Sequence, residues 1–306
     1  MDVLLSIPLI STLLTPSWST SMNLLFFYAT WSTLVLAYDS AAIHASALLG
    51  VRIILWLIPS LIFLLFDTLL PSLSSAIKFP VAASPPRRPL RLLGLAVGNM
   101  LLVTGVEAVL SYTFYHGMGK PIFRTSTTLP LPWHLLKHIL ILLTSREILT
   151  YYIHRFLLHG NKSPMLTRLH ATWGHANPVS SVQLYADHPF PLLTHRLVPV
   201  FIPSLILRPH LLTYMLFTMI CTAQDTISAS GYSIVPGIIL GGIARRTTVH
   251  YASNGKANYG AWGVLDWAHG TSRGGDLLTD IKEEADKHDV KGRSARKLDK
   301  GVAALQ

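Results

Sequence analysis

The sequence predicts an all-α membrane protein with about four transmembrane helices, a re-entrant apolar hairpin and a cytosolic cap rich in histidine. Half of the 306 residues are hydrophobic and only 13% are charged, and the mean hydropathy is +0.43. A soluble protein of this composition would leave too much apolar surface facing water. Long apolar stretches also recur along the chain, and the polar segments that follow them contain clustered histidines.

The membrane helices are predicted from length and composition. A spanning helix needs about 20 predominantly apolar residues. Four stretches meet this requirement, at residues 22–38, 53–70, 93–114 and 133–152. An earlier apolar stretch at residues 3–14 is shorter and lacks the basic start and small-residue cleavage pattern of a signal peptide. We expect it to form an interfacial or anchoring segment.

A fifth apolar region covers residues 190–220. Pro199, Pro203 and the Arg208-Pro209-His210 tripeptide divide it into two halves. Because each half looks too short to cross a bilayer, the region is expected to form a re-entrant hairpin that enters and leaves on one side.

The basic residues predict the orientation and the kind of partner. Lys and Arg are abundant in the loop after the second span and throughout the chain after the fourth. An even number of crossings separates these regions, so both are expected to face the cytosol. The net charge of +10 is scattered beside apolar spans, which favours contact with anionic membrane lipids and excludes a nucleic-acid groove. The single cysteine, Cys221, excludes a disulfide framework.

The histidines carry most of the functional information. Seven of the 14, including His195, stand singly at span ends or in loops. A histidine at such a position ordinarily lies at the boundary between membrane and water and has no further role. The other seven fall between Tyr151 and Thr271 in segments predicted to be cytosolic. They are His154, His159, His170, His175, His188, His250 and His269.

Imidazole is a good ligand for iron, zinc and copper. The pairs His154/His159 and His170/His175 each have a spacing of five residues. Residues five apart on an ideal helix point about 140° away from each other, so each pair needs a helix end or a bulge to face one centre. Spacing alone leaves two possibilities open, a metal site or a set of hydrogen-bonded interfacial histidines.

Charged residues within the predicted spans must be paired or face a cavity, because an unpaired charge at the bilayer centre costs about 2.5–3.5 kcal/mol. Glu107 lies in the third span, and Arg146 and Glu147 lie in the fourth. Either structural pairs between helices or a substrate channel would explain them.

The order of the polar motifs resembles the sterol desaturase / fatty acid hydroxylase superfamily. Tyr-x-x-His-Arg-x-x-x-His ends the fourth span, and Leu-His-x-Thr and Leu-Tyr-Ala-Asp-His-Pro follow before the hairpin. After the hairpin come Ser-Gly-Tyr, Asn258-Tyr259-Gly260 and Leu-Asp-Trp. The resemblance divides the chain into membrane anchor helices at residues 1–131, a fatty acid hydroxylase-like domain at 132–275 and a charged cytosolic tail at 276–306.

The resemblance implies an endoplasmic reticulum enzyme that binds two iron ions per chain and uses O2 to hydroxylate or desaturate a lipid. A cytochrome b5-type electron donor is implied as its partner. The residues that match or neighbour the family's histidine boxes, and so become the predicted metal ligands, are His154, His159, His170, His175, His188 and His250.

This chain departs from the family pattern in its second and third histidine boxes. Trp173-Gly174 stands where adjacent histidines are usual, and His250 is the one histidine in the third box. Carboxylates at Asp187, Asp225 or Asp266 are candidates to complete the metal shell, and His269 is a weaker one.

The leading functional hypothesis is a membrane-bound, iron-dependent oxidoreductase acting on a hydrophobic sterol, fatty acyl or terpenoid-like substrate. The alternative is a divergent relative that serves as a lipid-binding or scaffold protein or performs a non-oxidative conversion. A transporter has less support, because no repeated halves are visible.

Overall fold

The chain folds into helices, as the computed structural model shows for residues 18–86, 88–160 and 162–274. Within these ranges there is no strand, and two isolated bridges, Lys78–Tyr232 and Arg124–His210, are the one form of β pairing. The predicted all-α class is therefore confirmed. The predicted anchoring segment at residues 3–14 and the charged tail at 276–306 lie outside the described residues.

The first part of the chain supplies long apolar helices. They are α1 (Trp18–Ala37), α2 (Ser40–Leu69), the short α3 (Pro71–Ala76) and α4 (Pro89–Met118). Proline begins α3 and α4, where its missing N–H has no helical partner to lose. Gly119 ends α4 at φ +64°, the left-handed conformation that glycine adopts without strain.

The second part of the chain supplies the helices that carry the histidines. They are α5 (Pro132–Ile153), α6 (Pro164–Trp173), α7 (Pro189–Leu207), α8 (Leu211–Ser228), α9 (Ile238–Ala252) and α10 (Val264–Ala268). Helix α5 continues into a π-helical turn at His154–Leu158. Helices α7 and α8 both pack against α5, and α2 packs against α4 and α8.

Three helices in the described part of the chain are long and apolar enough to cross a membrane, namely α2, α4 and α7. The predicted spans at residues 53–70 and 93–114 lie within α2 and α4. The apolar part of α1, Met22–Ala37, is shorter, and α5 contains Lys137, Arg146 and Glu147. The number of four spans therefore stays a prediction.

The apolar region after the histidine segments forms a helical hairpin. Arg208, at φ +48°, ends α7, and its Nη2 donates to the carbonyl of Pro121 at one end of the bundle. At the other end, Arg196 of α7 donates to Asp225 of α8, so α7 and α8 run antiparallel. The expectation that both halves are too short is wrong for α7, which has 19 residues. Pro199 is tolerated there because it follows the π-helical turn Leu193–Leu197 in the first turn of regular helix.

Glu107 and Arg146 form ion pairs within the bundle, as expected. Glu107 is fully buried, and its Oε2 accepts a 2.8 Å hydrogen bond from Arg52 of α2. Tyr214 of α8 donates to the other carboxylate oxygen, and His44 Nε2 lies 3.5 Å from it. This network joins α2, α4 and α8 within the bundle core.

Candidate metal centre

Six of the imidazoles that the structure describes meet at one end of the bundle. Two triads have ligand atoms within 4.8 Å of one another, and they share His159. The first triad is His154, His159 and His170, and the second is His159, His175 and His250. The sixth ring, His195, lies 4.5 Å from His154 between ring centroids. Five of the six ligands predicted from the sequence therefore converge.

The first pair is brought together by a π-helical turn. His154 and His159 are five residues apart, and the His159 N–H donates to the His154 carbonyl at 3.0 Å. This i to i+5 hydrogen bond widens the helix by one residue, so side chains five apart lie on the same face. The two Nε2 atoms are 3.2 Å apart. The bulge that the spacing required is thus present.

The second pair uses the end of a helix. His170 lies in the last turn of α6, which ends at Trp173, and the backbone then turns at Gly174. A Cβ at position 174 would come within 2.7 Å of the His170 ring, so a side chain there would push against that imidazole. The turn brings His175 to 5.0 Å from both His159 and His170 between ring centroids.

The remaining two rings come from helices after the second pair. His250 lies in α9, 4.5 Å from His154 between ring centroids, and it is buried. The chain then passes close to the cluster at Gly255, at φ +74°, where a Cβ would lie 2.1 Å from His159. His195 lies in the π-helical turn of α7. Helices α5, α6, α7 and α9 therefore all contribute to the cluster.

Three of the rings are oriented by hydrogen bonds through Nδ1. His154 Nδ1 lies 3.0 Å from the Tyr259 carbonyl and His250 Nδ1 lies 2.7 Å from the Ala257 carbonyl. Because a carbonyl accepts only, these rings must carry their proton on Nδ1. His170 Nδ1 lies 2.5 Å from an Asp187 carboxylate oxygen. Each ring is thus held with an Nε2 lone pair free for a ligand, the arrangement common around metals in proteins.

Three of the six rings have a buried Nε2 with no hydrogen-bond partner. Nε2 of His170, His195 and His250 is buried without a donor or acceptor in the described part of the chain. Leaving a buried polar atom unpaired costs about 1–3 kcal/mol. A cation at the centre of the cluster would satisfy these atoms, so the donor set fits a metal ion.

The electrostatics keep the rings neutral, which metal binding requires. Burial lowers the pKa of His175 to about 3, with a further contribution from His250 and His170. Burial also lowers the pKa of His250 to about 4, with a smaller effect of His170. At neutral pH both imidazoles can therefore offer a lone pair.

The Asn258-Tyr259-Gly260 motif supports the cluster from behind. Asp266 of α10 accepts from the backbone N–H groups of Tyr259 and Gly260 at 2.9 and 2.8 Å. Asn258, at φ +55°, accepts from the Arg273 backbone N–H at 2.9 Å. These bonds fix the Tyr259 carbonyl against His154, so this part of the motif orients a ring and is not a ligand itself.

Several other predicted candidates lie away from the cluster. The His188 ring stacks on Phe190 at 5.6 Å between centroids, and its Nδ1 accepts from the Phe190 N–H. Asp225 binds two arginines, and His269 contacts Tyr152. Asp187 acts through His170. The sequence reasoning did not select His195, although a histidine next to an arginine within an apolar stretch was an available signal.

Asp187 is predicted to strengthen metal binding by orienting His170. Replacing Asp187 with asparagine removes the charge and should lower the affinity for iron by about 10–100-fold, as is typical when a ligand histidine loses its partner. Competition with a chelator of known affinity measures this change. The same replacement at exposed Asp39 is the control and should have no effect. An unchanged affinity in Asp187→Asn would contradict the proposed orientation.

A cavity of about 110 Å³ adjoins the cluster. One side of it is lined by clustered histidines, and Leu184 and Leu192 line part of the rest. The lining histidines are His154, His170, His175, His195 and His250. Room for a small group therefore exists directly beside the imidazoles.

Comparison with known proteins agrees with this architecture. The model of the fatty acid hydroxylase family matches residues 139–271, which contain all six clustered histidines. The fatty acid hydroxylase domain-containing protein 2 of Macaca fascicularis and that of Homo sapiens are each 25% identical over 254 residues. These alignments cover 80% of this chain and 72% of each relative. No solved structure matches. The ordered histidine motifs, this domain match and the two relatives support assignment of residues 139–271 to the fatty acid hydroxylase superfamily.

Proposed function

We propose that this membrane protein is an iron-dependent oxygenase that hydroxylates or desaturates a hydrophobic substrate such as a sterol, a fatty acyl chain or a terpenoid-like metabolite. The observation that carries the proposal is the convergence of six imidazoles, three of which have a buried and unpartnered Nε2. A lipid-binding scaffold would have no need of such a buried and electrostatically unfavourable cluster. Convergence therefore favours the oxygenase over the scaffold.

The metal would be held by His154, His159, His170, His175, His195 and His250. Imidazole donors suit iron, zinc and copper alike, and membership of the superfamily favours iron. Bound iron would supply O2 activation, which side chains cannot perform. Because the two triads share His159, metal analysis has to decide between one iron and two, and we propose two as in the family.

The protein would orient the ligand rings and keep water out of the site. Asp187 and the carbonyls of Tyr259 and Ala257 hold three rings. Burial of His154, His170 and His250 would keep bulk water away from the bound metal and so limit side reactions. The cavity beside the rings would hold the reacting part of the substrate.

The cellular setting follows from the same proposal. The histidine cluster would face the cytosol from the endoplasmic reticulum membrane, where a cytochrome b5-type protein can deliver electrons. Membrane lipids would surround α2, α4 and α7. The hydrophobic substrate would arrive from the bilayer.

Two measurements test the function. Protein purified in mild detergent is expected to contain iron, determined by elemental analysis per chain. Cells that express the chain are expected to accumulate a lipid that has gained one oxygen atom or lost two hydrogen atoms, detected by untargeted lipid mass spectrometry. Protein that stays metal-free after iron reconstitution, with an unchanged lipid profile, would contradict the oxygenase and support the scaffold.

A further inference from the structure

An ion-pair cluster separates the cavity at the histidines from a second cavity inside the bundle. The second cavity has a volume of about 50 Å³ and is lined by apolar side chains such as Val103 and Trp56. Both cavities are lined by Leu184, Arg196 and Asp225. A molecule extending from the histidines into the bundle would therefore pass these charged groups.

The cluster contains more positive than negative charge. Arg146 Nη2 donates to both carboxylate oxygens of Asp225, at 2.6 and 2.7 Å. Arg196 Nη1 donates to one of the same oxygens at 2.8 Å. Two guanidinium groups thus share one carboxylate, and both line the cavity at the histidines.

The other nearby carboxylates are engaged by different donors. Asp187 is engaged by the His170 ring, and Glu147 accepts the backbone N–H of Trp262. Asp225 is the one carboxylate within ion-pair distance of Arg146 or Arg196 in the described part of the chain. Since the Arg146 side chain is only 9% exposed, water screens its charge weakly.

We propose that Arg146 and Arg196 form an oxyanion-binding site that holds the anionic head group of the lipid substrate beside the histidines. This inference rests on the proposed function and specifies its substrate class, an amphiphile with a carboxylate or phosphate head. The planar guanidinium binds either oxyanion through paired hydrogen bonds. Because Arg196 directly follows His195 in the chain, the oxidised carbon would lie close to that head group.

The test measures binding to the full-length chain in nanodiscs of neutral lipid. Palmitate, hexadecyl phosphate and hexadecanol share one alkyl chain and compete with a radiolabelled palmitate probe. The wild-type protein should bind the two anions at least about tenfold more tightly than the alcohol, because a charge-assisted hydrogen bond replaces a neutral one. The stronger of the two anions identifies the head group.

Two variants and one control examine the role of the arginines. Arg196→Gln should lose the preference for anions, whereas Arg168→Gln, which removes an exposed arginine of α6, should keep it. Asp225→Asn should increase the preference, because both guanidinium groups lose their shared partner. A gain of this kind cannot result from misfolding.

Three results would overturn the inference. They are equal affinity for all three amphiphiles, an unchanged preference in Arg196→Gln, and displacement of the probe by inorganic phosphate as effective as that by hexadecyl phosphate. Iron content is measured on the same samples, so the two proposals can fail separately. Iron-loaded protein without anion preference contradicts only the head-group site, and metal-free protein with the preference contradicts only the oxygenase.

Discussion

Replacing His159 with alanine is expected to remove most bound iron and to abolish product formation. His159 is the residue that both triads share, and its ring lies within 5.0 Å of those of His154, His170, His175 and His250 between centroids. The substitution therefore removes one ligand nitrogen from both triads. Elemental analysis of the purified variant and lipid mass spectrometry of expressing cells measure the two effects.

His188→Ala is the matched control for this experiment. It removes the same side chain from a histidine that the sequence also predicts as a ligand, but whose ring lies against Phe190 and Trp173. Iron content and product should stay near the wild-type level. If His188→Ala loses iron as completely as His159→Ala, the ligand set described above is incorrect.

Thermal unfolding separates a ligand role from a structural one. In metal-free protein the His159 ring contacts only other imidazoles through its Nε2, at 3.2 and 3.3 Å, so its removal should cost little stability. Iron stabilises a protein that binds it only in the folded state, and this stabilisation should be absent in His159→Ala. A large loss of stability in the metal-free variant would indicate that the ring is mainly structural.

Much of this site could be predicted from residue types and their order. His154, His159, His170, His175 and His250 each fall in or beside a short motif of the superfamily. The five-residue spacing within each of the first two pairs also predicted an interruption of the helix. For His154 and His159, the π-helical turn at His154–Leu158 provides it. The spacing indicates that a regular helix cannot direct both rings of a pair towards one metal. It does not indicate whether a bulge or a helix end does so instead.

Two histidines show where sequence reasoning is insufficient. His195 is a single histidine in an apolar helix, and its role depends on the hairpin that brings α7 back against α5. His188 belongs to a family motif, yet it caps the start of α7 by accepting from the Phe190 N–H. In both cases the direction of the ring is set by tertiary packing, which a linear motif does not encode.

The same limit applies to the helices. Composition alone predicted the all-α fold and located α2 and α4, because long apolar stretches have few alternatives in a membrane. The prolines suggested two short halves for the hairpin, whereas α7 accommodates Pro199 after a π-helical turn. The partner of Arg146 was also unpredictable, since Asp225 lies 79 residues away in the chain.

Replacement of Glu107 by leucine is expected to destabilise the bundle by about 3–5 kcal/mol, the typical effect of removing one partner of a buried ion pair. Glu107 is fully buried and binds Arg52, and Tyr214 donates to it. The substitution leaves the Arg52 guanidinium buried with Thr104 as its remaining hydrogen-bond partner. The free energy of unfolding in mixed micelles, measured by titration with a denaturing detergent, gives the change.

The double variant Glu107→Leu with Arg52→Met decides whether the loss arises from the unpaired charge. Replacing both ions with apolar side chains of similar size removes the uncompensated guanidinium, so much of the lost stability should return. Iron binding should persist in the double variant, because neither residue lines the cavity at the histidines. If the double variant is as unstable as Glu107→Leu, the packing of Glu107 and its bond to Tyr214, rather than the ion pair, hold α2, α4 and α8 together.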